Sequence, residues 1–354
     1  MVKNLCILLL SVLPILASAQ QAVELKQQNL SKWNIGGANY SGITSLGGNR
    51  YALVSDKEPS DGFYIFRIDQ NMTDGSIESV YLEGFKGNPN PKTDNNGMTI
   101  RDCEGIAYRP SSNTLFISGE GDQEILEYNM DGALTGNKMQ VPSIFSLKNI
   151  VPNYGFEALT YSPKTHLFWT VTESTLVSDG FTASAAHPGH QNLLRLQSFD
   201  DQLLPAGQYA YRMDRGKSED FGKIYVLGVP EVTALPDGKL LVLEREADIS
   251  HGYLSSEVVC KLFLVDPNNS WQIGSEVDFN KMDPNKFMVK TLISRFVTKY
   301  TPFVRTFANY EGMCLGQTLS DGRQTLLMIS DSQANYGKGP FRLNDFIKVL
   351  VLPE

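Results

Sequence analysis

The sequence has few cysteines and few histidines, four of each in 354 residues, and both shortages exclude classes of protein. Beyond the N-terminal leader, Cys103, Cys260 and Cys314 each lie in an apolar, strand-like run. Because three is an odd number and a chain of this length does not need disulfide bonds for stability, we predict buried thiols and not a disulfide framework. The histidines show none of the spacings typical of zinc ligands, which argues against a zinc enzyme.

Excess positive charge and two common enzyme motifs are also missing. The chain has 31 Lys and Arg against 39 Asp and Glu, and its net charge of −8 argues against a nucleic-acid-binding surface and fits a cationic partner or a bound metal. There is no G-x-S-x-G nucleophile elbow, so an α/β-hydrolase esterase is disfavoured. The stretch GKS at 216–218 lacks the first glycine of a phosphate-binding loop, because Tyr211 stands there.

Long apolar runs are absent except at the N terminus, where residues 1–19 combine one lysine, an apolar core at 5–16 and the small residues Ala-Ser-Ala at 17–19. This pattern predicts a secretory signal peptide that is cleaved after Ala19. The core is too short for a membrane span, and no later run approaches the roughly 18 apolar residues that a span needs. We therefore expect a mature domain of residues 20–354, periplasmic or secreted, without a membrane span and monomeric.

A repeat organises the mature chain. Each unit has a polar approach, a key residue, a short apolar strand, a tight turn rich in Gly or Pro, and a second strand that ends in an acid. The units lie at 39–56, 102–120, 155–173, 229–246 and 309–331. Third strands are predicted at 63–69, 124–130, 192–199, 258–266 and 346–352. Fourth strands are predicted at 76–82, 137–141, 207–213 and 287–293, and the chain ends before a fifth one.

Four antiparallel strands, repeated without helical periodicity, are typical of a β-propeller. We predict an all-β fold, a single β-propeller of five or six four-stranded blades. A sixth blade would lie in the connections at 131–154, 215–228 or 267–286. The segment 22–30 is expected to supply the missing last strand and to close the ring. A two-layer sandwich is the alternative, but it does not explain the repeated acid.

Acidic residues recur at two positions of each unit. In a blade, the first strand lines the channel and the second runs antiparallel beside it, so the start of one and the end of the other share an edge. The predicted ring of carboxylates comprises Glu104, Glu157, Glu231 and Glu311 at the starts of first strands, with Ser41 in the equivalent place, and Asp56, Glu120, Glu173, Glu244 and Asp331 at the ends of second strands. The topology thus gathers up to nine carboxylates at one funnel.

So many like charges require neutralisation by a cation or by basic side chains. Calcium fits best, because it accepts six to eight oxygen ligands with loose geometry. We therefore predict a Ca²⁺ ion as the cofactor, held by these acids. The alternative is that individual carboxylates accept hydrogen bonds from loop N–H groups, and the two roles are compatible.

Basic and histidine side chains near the predicted funnel are candidates for binding an anionic substrate. Lys57 and Arg245 directly follow ring acids, so they could pair with carboxylates or hold a phosphate. Long connections carry the other candidates, which are His187, His251, Lys338 and Arg342. Solvent-exposed loop residues without a role remain the alternative for these four.

The motifs CEGIAY, FEALTYSP, PEVTALPDGKLLVLERE and YEGM, spread over nearly the whole mature chain, resemble the phytase-like family of secreted bacterial proteins, also called esterase-like activity of phytase. The resemblance implies hydrolysis of phosphate or other esters and kinship with calcium-dependent propeller phytases. The catalytic motifs of those phytases have no match here, so it implies no catalytic residue.

Three functions follow from these observations. The first is a calcium-dependent hydrolase of phosphoesters or other esters, acting on a small anionic or ester substrate. The second is a non-catalytic propeller that binds a ligand or a protein, with calcium in a structural role. The third is a metal-dependent lactonase or carboxyl esterase, which rests on fold analogy alone.

Overall fold

The computed structural model describes residues 21–187, 189–217, 224–249, 254, 256–301, 303, 305–337 and 342–353. The predicted signal peptide lies outside the described residues, and so do His251 and Lys338.

The strands occur in the order that the repeat predicts. Strands β1 (Val23–Glu24) and β2 (Gln28–Asn29) precede the first blade. The first blade contains β3 (Tyr40–Gly47), β4 (Arg50–Ser55), β5 (Gly62–Gln70) and β6 (Ile77–Gly87). The second contains β7 (Cys103–Arg109), β8 (Thr114–Gly119), β9 (Ile125–Tyr128) and β10 (Leu134–Lys138). The third contains β11 (Phe156–Ser162), β12 (Leu167–Thr172), β13 (Leu193–Phe199) and β14 (Pro205–Arg212).

The fourth blade contains β15 (Tyr225–Ala234), β16 (Leu240–Asp248), β17 (Glu257–Val265) and β18 (Lys290–Lys299). The fifth contains β19 (Asn309–Thr318), β20 (Gln324–Asp331) and β21 (Phe346–Val351). Short 3₁₀ helices lie at Leu30–Trp33, Ser143–Phe145, Leu147–Asn149, Pro267–Asn269 and Pro284–Lys286. Within the described ranges, no helix is long and apolar enough to cross a membrane.

The prediction of an all-β propeller with four-stranded antiparallel blades is confirmed, and the described strands form five blades. The described parts of the three long connections contain β10, the start of β15 and 3₁₀ turns, all accounted for by the five blades, and not a sixth blade. In the fifth sheet, β1 and β2 both pair antiparallel with β21, with Val23 opposite Val351 and Gln28 opposite Ile347. Two strands of two residues therefore stand where one continuous strand over 22–30 was predicted.

Apolar cores lie between neighbouring blades. The second strands are buried along nearly their whole length, as in β8, because a middle strand packs its two faces against different blades. Phe116 of β8 and Phe168 of β12, for example, pack with ring centroids 4.7 Å apart. Leu53 and Leu327 lie in a core shared by the first and fifth blades, so the ring of blades is continuous. Cys103, Cys260 and Cys314 are buried free thiols, as predicted.

The first strands of successive blades approach one another at backbone distance around the channel. Gly105 in β7 shows why glycine is needed, since a Cβ atom there would lie 2.6 Å from the carbonyl oxygen of Glu157 in β11. Gly42 and Gly312 make equivalent close approaches to Glu104 and Ser41. The glycine that follows the repeated acid therefore sets the spacing of the blades and brings the acids together.

Candidate functional site

A β-bulge displaces the register at the start of each first strand. The pairing of β7 with β8 shifts between Cys103 and Ile106, so Glu104 lies in the bulge. The corresponding shifts in β11 and β19 place Glu157 and Glu311 in bulges as well. A bulge inserts an extra residue and re-aims its side chain, and bulges are frequent beside functional sites. The bulges explain how a glutamate in an apolar strand reaches the channel mouth.

Carboxylate oxygens converge on Glu104 from three blades. One oxygen from each of Asp56, Asp102 and Glu104 lies within 4.8 Å of the others, and the same is true of Glu104, Glu120 and Glu157. Glu173, Glu311 and Asp331 adjoin these groups, since their charges interact with Glu157, Glu104 and Asp56 respectively. We call these eight residues the carboxylate cluster: Asp56, Asp102, Glu104, Glu120, Glu157, Glu173, Glu311 and Asp331.

Two basic side chains lie at the cluster, and both were predicted from the sequence to lie there. The Lys57 ammonium is 2.6 Å from Asp56 Oδ2 and 3.1 Å from Asp102 Oδ1. The buried Arg245 guanidinium donates from Nη1 to Glu311 Oε1 at 2.6 Å, and from Nη2 to Glu173. Among the described residues, eight carboxyl groups thus face two cations, which leaves a strongly negative site.

The pKa values of the cluster reflect this excess of negative charge. Burial raises the pKa of Glu104 and of Glu157 well above the usual range, and the neighbouring carboxylates raise it further. Burial also raises the pKa of Asp56 to about 6, despite the opposing hydrogen bond from Lys57. The pKa of Glu120 rises to about 7 for the same reason, although it accepts a hydrogen bond from the Gly155 amide. Without a bound cation, part of the cluster is therefore protonated at neutral pH.

Glu244 does not belong to the cluster, which corrects the prediction. Neighbouring residues of a strand point to opposite faces, and in β16 it is Arg245 that faces the channel mouth. Glu244 instead accepts hydrogen bonds from Tyr211 Oη at 2.7 Å and from the Asp214 amide at 3.0 Å, and forms an ion pair with Lys290. Its role is to neutralise a lysine beside the third blade.

Glu231 is also misplaced by the prediction. The register shift of β15 falls between Gly228 and Glu231, so Glu231 lies beyond the bulge. Its Oε1 accepts from the Val232 amide at 3.0 Å, and backbone amides of Leu159 and Met313 also interact with it. Glu231 therefore lies deeper in the channel and caps backbone N–H groups, the alternative that the sequence left open.

The loop candidates lie away from these contacts. His187 stacks on Phe181 with ring centroids 4.4 Å apart, and His190 packs beside them. Arg342 is exposed and donates to Asn335 Oδ1 at 3.2 Å. The structure therefore provides no contact between His187 or Arg342 and the cluster, and it does not describe His251 or Lys338.

Sequence reasoning missed Asp102 and Asn309. Asp102 belongs to the cluster, while Asn309 accepts from Arg245 Nη1 at 2.9 Å and donates to Glu311 Oε1 at 2.7 Å. Each stands two residues before a repeated glutamate, at or just before the first residue of the strand. That spacing, D-C-E and N-Y-E, is the signal that could have identified them.

Fold and site together define a five-bladed β-propeller with a carboxylate-lined channel mouth. The chain belongs to the Phytase-like family, described as esterase-like activity of phytase, whose model matches residues 35–333. No curated protein matches the chain.

Several solved structures match the chain at low identity. The endo-arabinase from Bacteroides thetaiotaomicron is 11% identical with a TM-score of 0.46, over 95% of this chain and 98% of that one. A luciferin-regenerating enzyme is 10% identical with a TM-score of 0.42, over 94% and 98%. The periplasmic gluconolactonase of Pseudomonas aeruginosa is 12% identical with a TM-score of 0.32, over 88% and 72%. Likenesses this distant carry no argument about function.

Proposed function

We propose that this protein is a calcium-dependent ester hydrolase whose reaction centre is the carboxylate cluster. The observation that carries the proposal is the convergence of two trios of carboxylate oxygens on Glu104 at the channel mouth. The family description, esterase-like activity of phytase, supports an ester as the bond that is cleaved. Phosphoesters and carboxylic esters both fall within the proposal.

The donor set suits a hard cation such as Ca²⁺, which prefers several oxygen ligands in a flexible arrangement. Asp56, Asp102, Glu104, Glu120 and Glu157 would hold the ion. Asp56 Oδ1 is buried without a hydrogen-bond partner, so it has an oxygen to offer. A bound Ca²⁺ would polarise the scissile ester as a Lewis acid and stabilise the charge that develops on it.

The chain's own groups supply protons that calcium displaces and positive charge that orients the substrate. Glu120, whose pKa is about 7 in the metal-free site, is one of the groups that would lose its proton when calcium binds. Arg245 and Lys57 provide positive charge beside the cluster for an anionic group of the substrate. Because the cluster holds protons that a cation displaces, calcium should bind more tightly as the pH rises.

Turnover of a substrate panel tests this proposal. The mature protein is assayed with phytate, 4-nitrophenyl phosphate, 4-nitrophenyl acetate and a lactone, with calcium chloride or with EGTA. We expect hydrolysis of at least one ester that EGTA abolishes, and a loss of about 100-fold or more in Glu104→Gln. Glu83→Gln, a change on an exposed residue paired with Arg50, is the matched control and should retain activity. Absence of turnover on every substrate would refute the hydrolase.

One observation favours the non-catalytic alternative, a ligand-binding propeller with structural calcium. The described histidines, His166, His187 and His190, contact Asp201 or Phe181 instead of the cluster. The cluster thus has no histidine base within the described part of the chain. Calcium that raises the melting temperature without any turnover would support this alternative.

Two further proposals concern the ends of the chain. We propose that residues 1–19 direct export and are removed after Ala19, which N-terminal sequencing of the protein from its native host would test.

We also propose that β1 and β2, by pairing with β21, hold the two ends of the chain together in the fifth blade. Deletion of 21–29 should then lower the melting temperature, and an unchanged value would contradict this closure.

A further inference from the structure

An apolar cavity of about 450 Å³ adjoins the carboxylate cluster between the fourth and fifth blades. Its apolar walls are formed by Ile224, Val226, Ala247 and Ile249 from one side and by Phe307 and Leu343 from the other. This volume falls within the range of small-molecule sites, which are largely apolar with a few convergent polar groups.

The polar end of the cavity is formed by Arg245, Asn309 and Asp331, all at the carboxylate cluster. Arg245 is 5% exposed, and its Nη atoms are engaged by Glu173, Glu311 and Asn309. Its Nε is buried and has no hydrogen-bond partner.

We propose that this cavity receives the apolar acyl chain of a carboxylic ester, with the ester group at the polar end beside the carboxylate cluster. The inference rests on the proposed function and narrows its substrate class. A polyphosphorylated substrate fits poorly here, because apolar walls cannot replace the hydration of several phosphates. An ester with one oxygen-bearing end and a hydrocarbon tail matches both ends of the cavity.

Two measurements test the assignment. The first is kcat/KM for 4-nitrophenyl acetate, butyrate, hexanoate and octanoate, which should rise by about twofold to fourfold per methylene until the cavity is filled. The second is calorimetric titration with octanoate, an anion that resembles the acyl product and whose binding needs no turnover.

A pair of matched variants locates the binding. Ile224 is 54% exposed at the cavity rim, so Ile224→Glu should fold normally while it places a charged carboxylate beside the hydrocarbon chain of octanoate. Val289 is 84% exposed and does not line the cavity, so Val289→Glu is the control. We expect Ile224→Glu to weaken octanoate binding by at least about tenfold, since each 1.4 kcal/mol is a factor of ten. Val289→Glu should bind as the wild type does.

The outcomes separate this inference from the proposed function. If octanoate does not bind, or if both variants bind it equally, the cavity assignment is overturned whether or not esters are cleaved. Hydrolysis with no dependence on chain length would likewise overturn it while leaving the hydrolase intact. Binding of octanoate that Ile224→Glu weakens, with no ester cleaved, would uphold the cavity assignment and refute the hydrolase.

Discussion

Replacement of Arg245 by methionine should destabilise the protein more than any surface charge change. Its guanidinium is paired with Glu173 and Glu311 at the centre of the channel mouth. Arg245→Met keeps much of the hydrocarbon stem but leaves two carboxylates without their counter-charge. Breaking a buried ion pair by removing one partner costs about 3–5 kcal/mol, so we expect a loss of that size in the free energy of unfolding at pH 8.

The loss of unfolding free energy in Arg245→Met should grow as the pH rises. Burial already raises the pKa of Glu173 and of Glu311 above 4.5, and Arg245 opposes that rise. Without Arg245 both folded-state pKa values rise further. A group whose folded pKa is raised contributes stability at low pH and loses it as the pH rises through that pKa. The deficit of Arg245→Met should therefore be smaller at pH 5 than at pH 8.

Urea unfolding in EGTA, followed by tryptophan fluorescence at both pH values, measures these differences. Arg50→Met is the matched control, because Arg50 and Glu83 form a surface pair with side chains 51% and 36% exposed. Such pairs contribute about 0–1 kcal/mol. A second control, Arg245→Met combined with Glu311→Gln, should recover part of the loss. If Arg245→Met costs no more than Arg50→Met at pH 8, our reading of the site's electrostatics is wrong.

Two further predictions concern the backbone contact and a buried acid. Gly105→Ala should lower the unfolding free energy by about 1–3 kcal/mol, because the added Cβ would meet the Glu157 carbonyl. Gly36→Ala is the control and should be neutral, since nothing lies within 4 Å of the added atom. Equal melting temperatures for the two variants would contradict this. Burial raises the pKa of Asp345 to about 7 from 3.8, so its protonated form stabilises the fold fully below pH 3.8 and this contribution is lost as the pH rises through 7. At about 1.4 kcal/mol per pH unit, ionisation of Asp345 should lower the unfolding free energy of the wild type by up to about 4 kcal/mol as the pH rises. Asp345→Asn should lack this decrease, and parallel stability–pH curves for variant and wild type would refute the reasoning.

The sequence predicts the blades well because a middle strand buried on both faces requires a continuous apolar run, and tight turns separate such runs. The runs around Phe116 and Phe168 are examples. The length of β6, which continues to Gly87, is harder to predict, since an outer strand is polar and carries little pattern.

The site is only partly predictable because a bulge changes which residue faces the channel. In β7, β11 and β19 the glutamate lies in the bulge, and Glu104, Glu157 and Glu311 lie in the carboxylate cluster. In the fourth blade the bulge precedes Glu231, and Arg245 replaces Glu244 at the channel mouth. Alignment of the repeats by residue type alone cannot show that the bulge of the fourth blade lies at a different position relative to its glutamate.

Calcium binding to the mature protein tests the central claim most directly. Thermal unfolding and calorimetric titration with CaCl₂ should show saturable binding and a higher melting temperature in wild type and in Glu83→Gln. At calcium a hundredfold above its Kd, the stabilisation should reach about 2.7 kcal/mol. Glu104→Gln, which alters the residue shared by both carboxylate trios, should lose most of this response. No response in wild type, or an equal response in Glu104→Gln, would contradict a calcium site at the channel mouth.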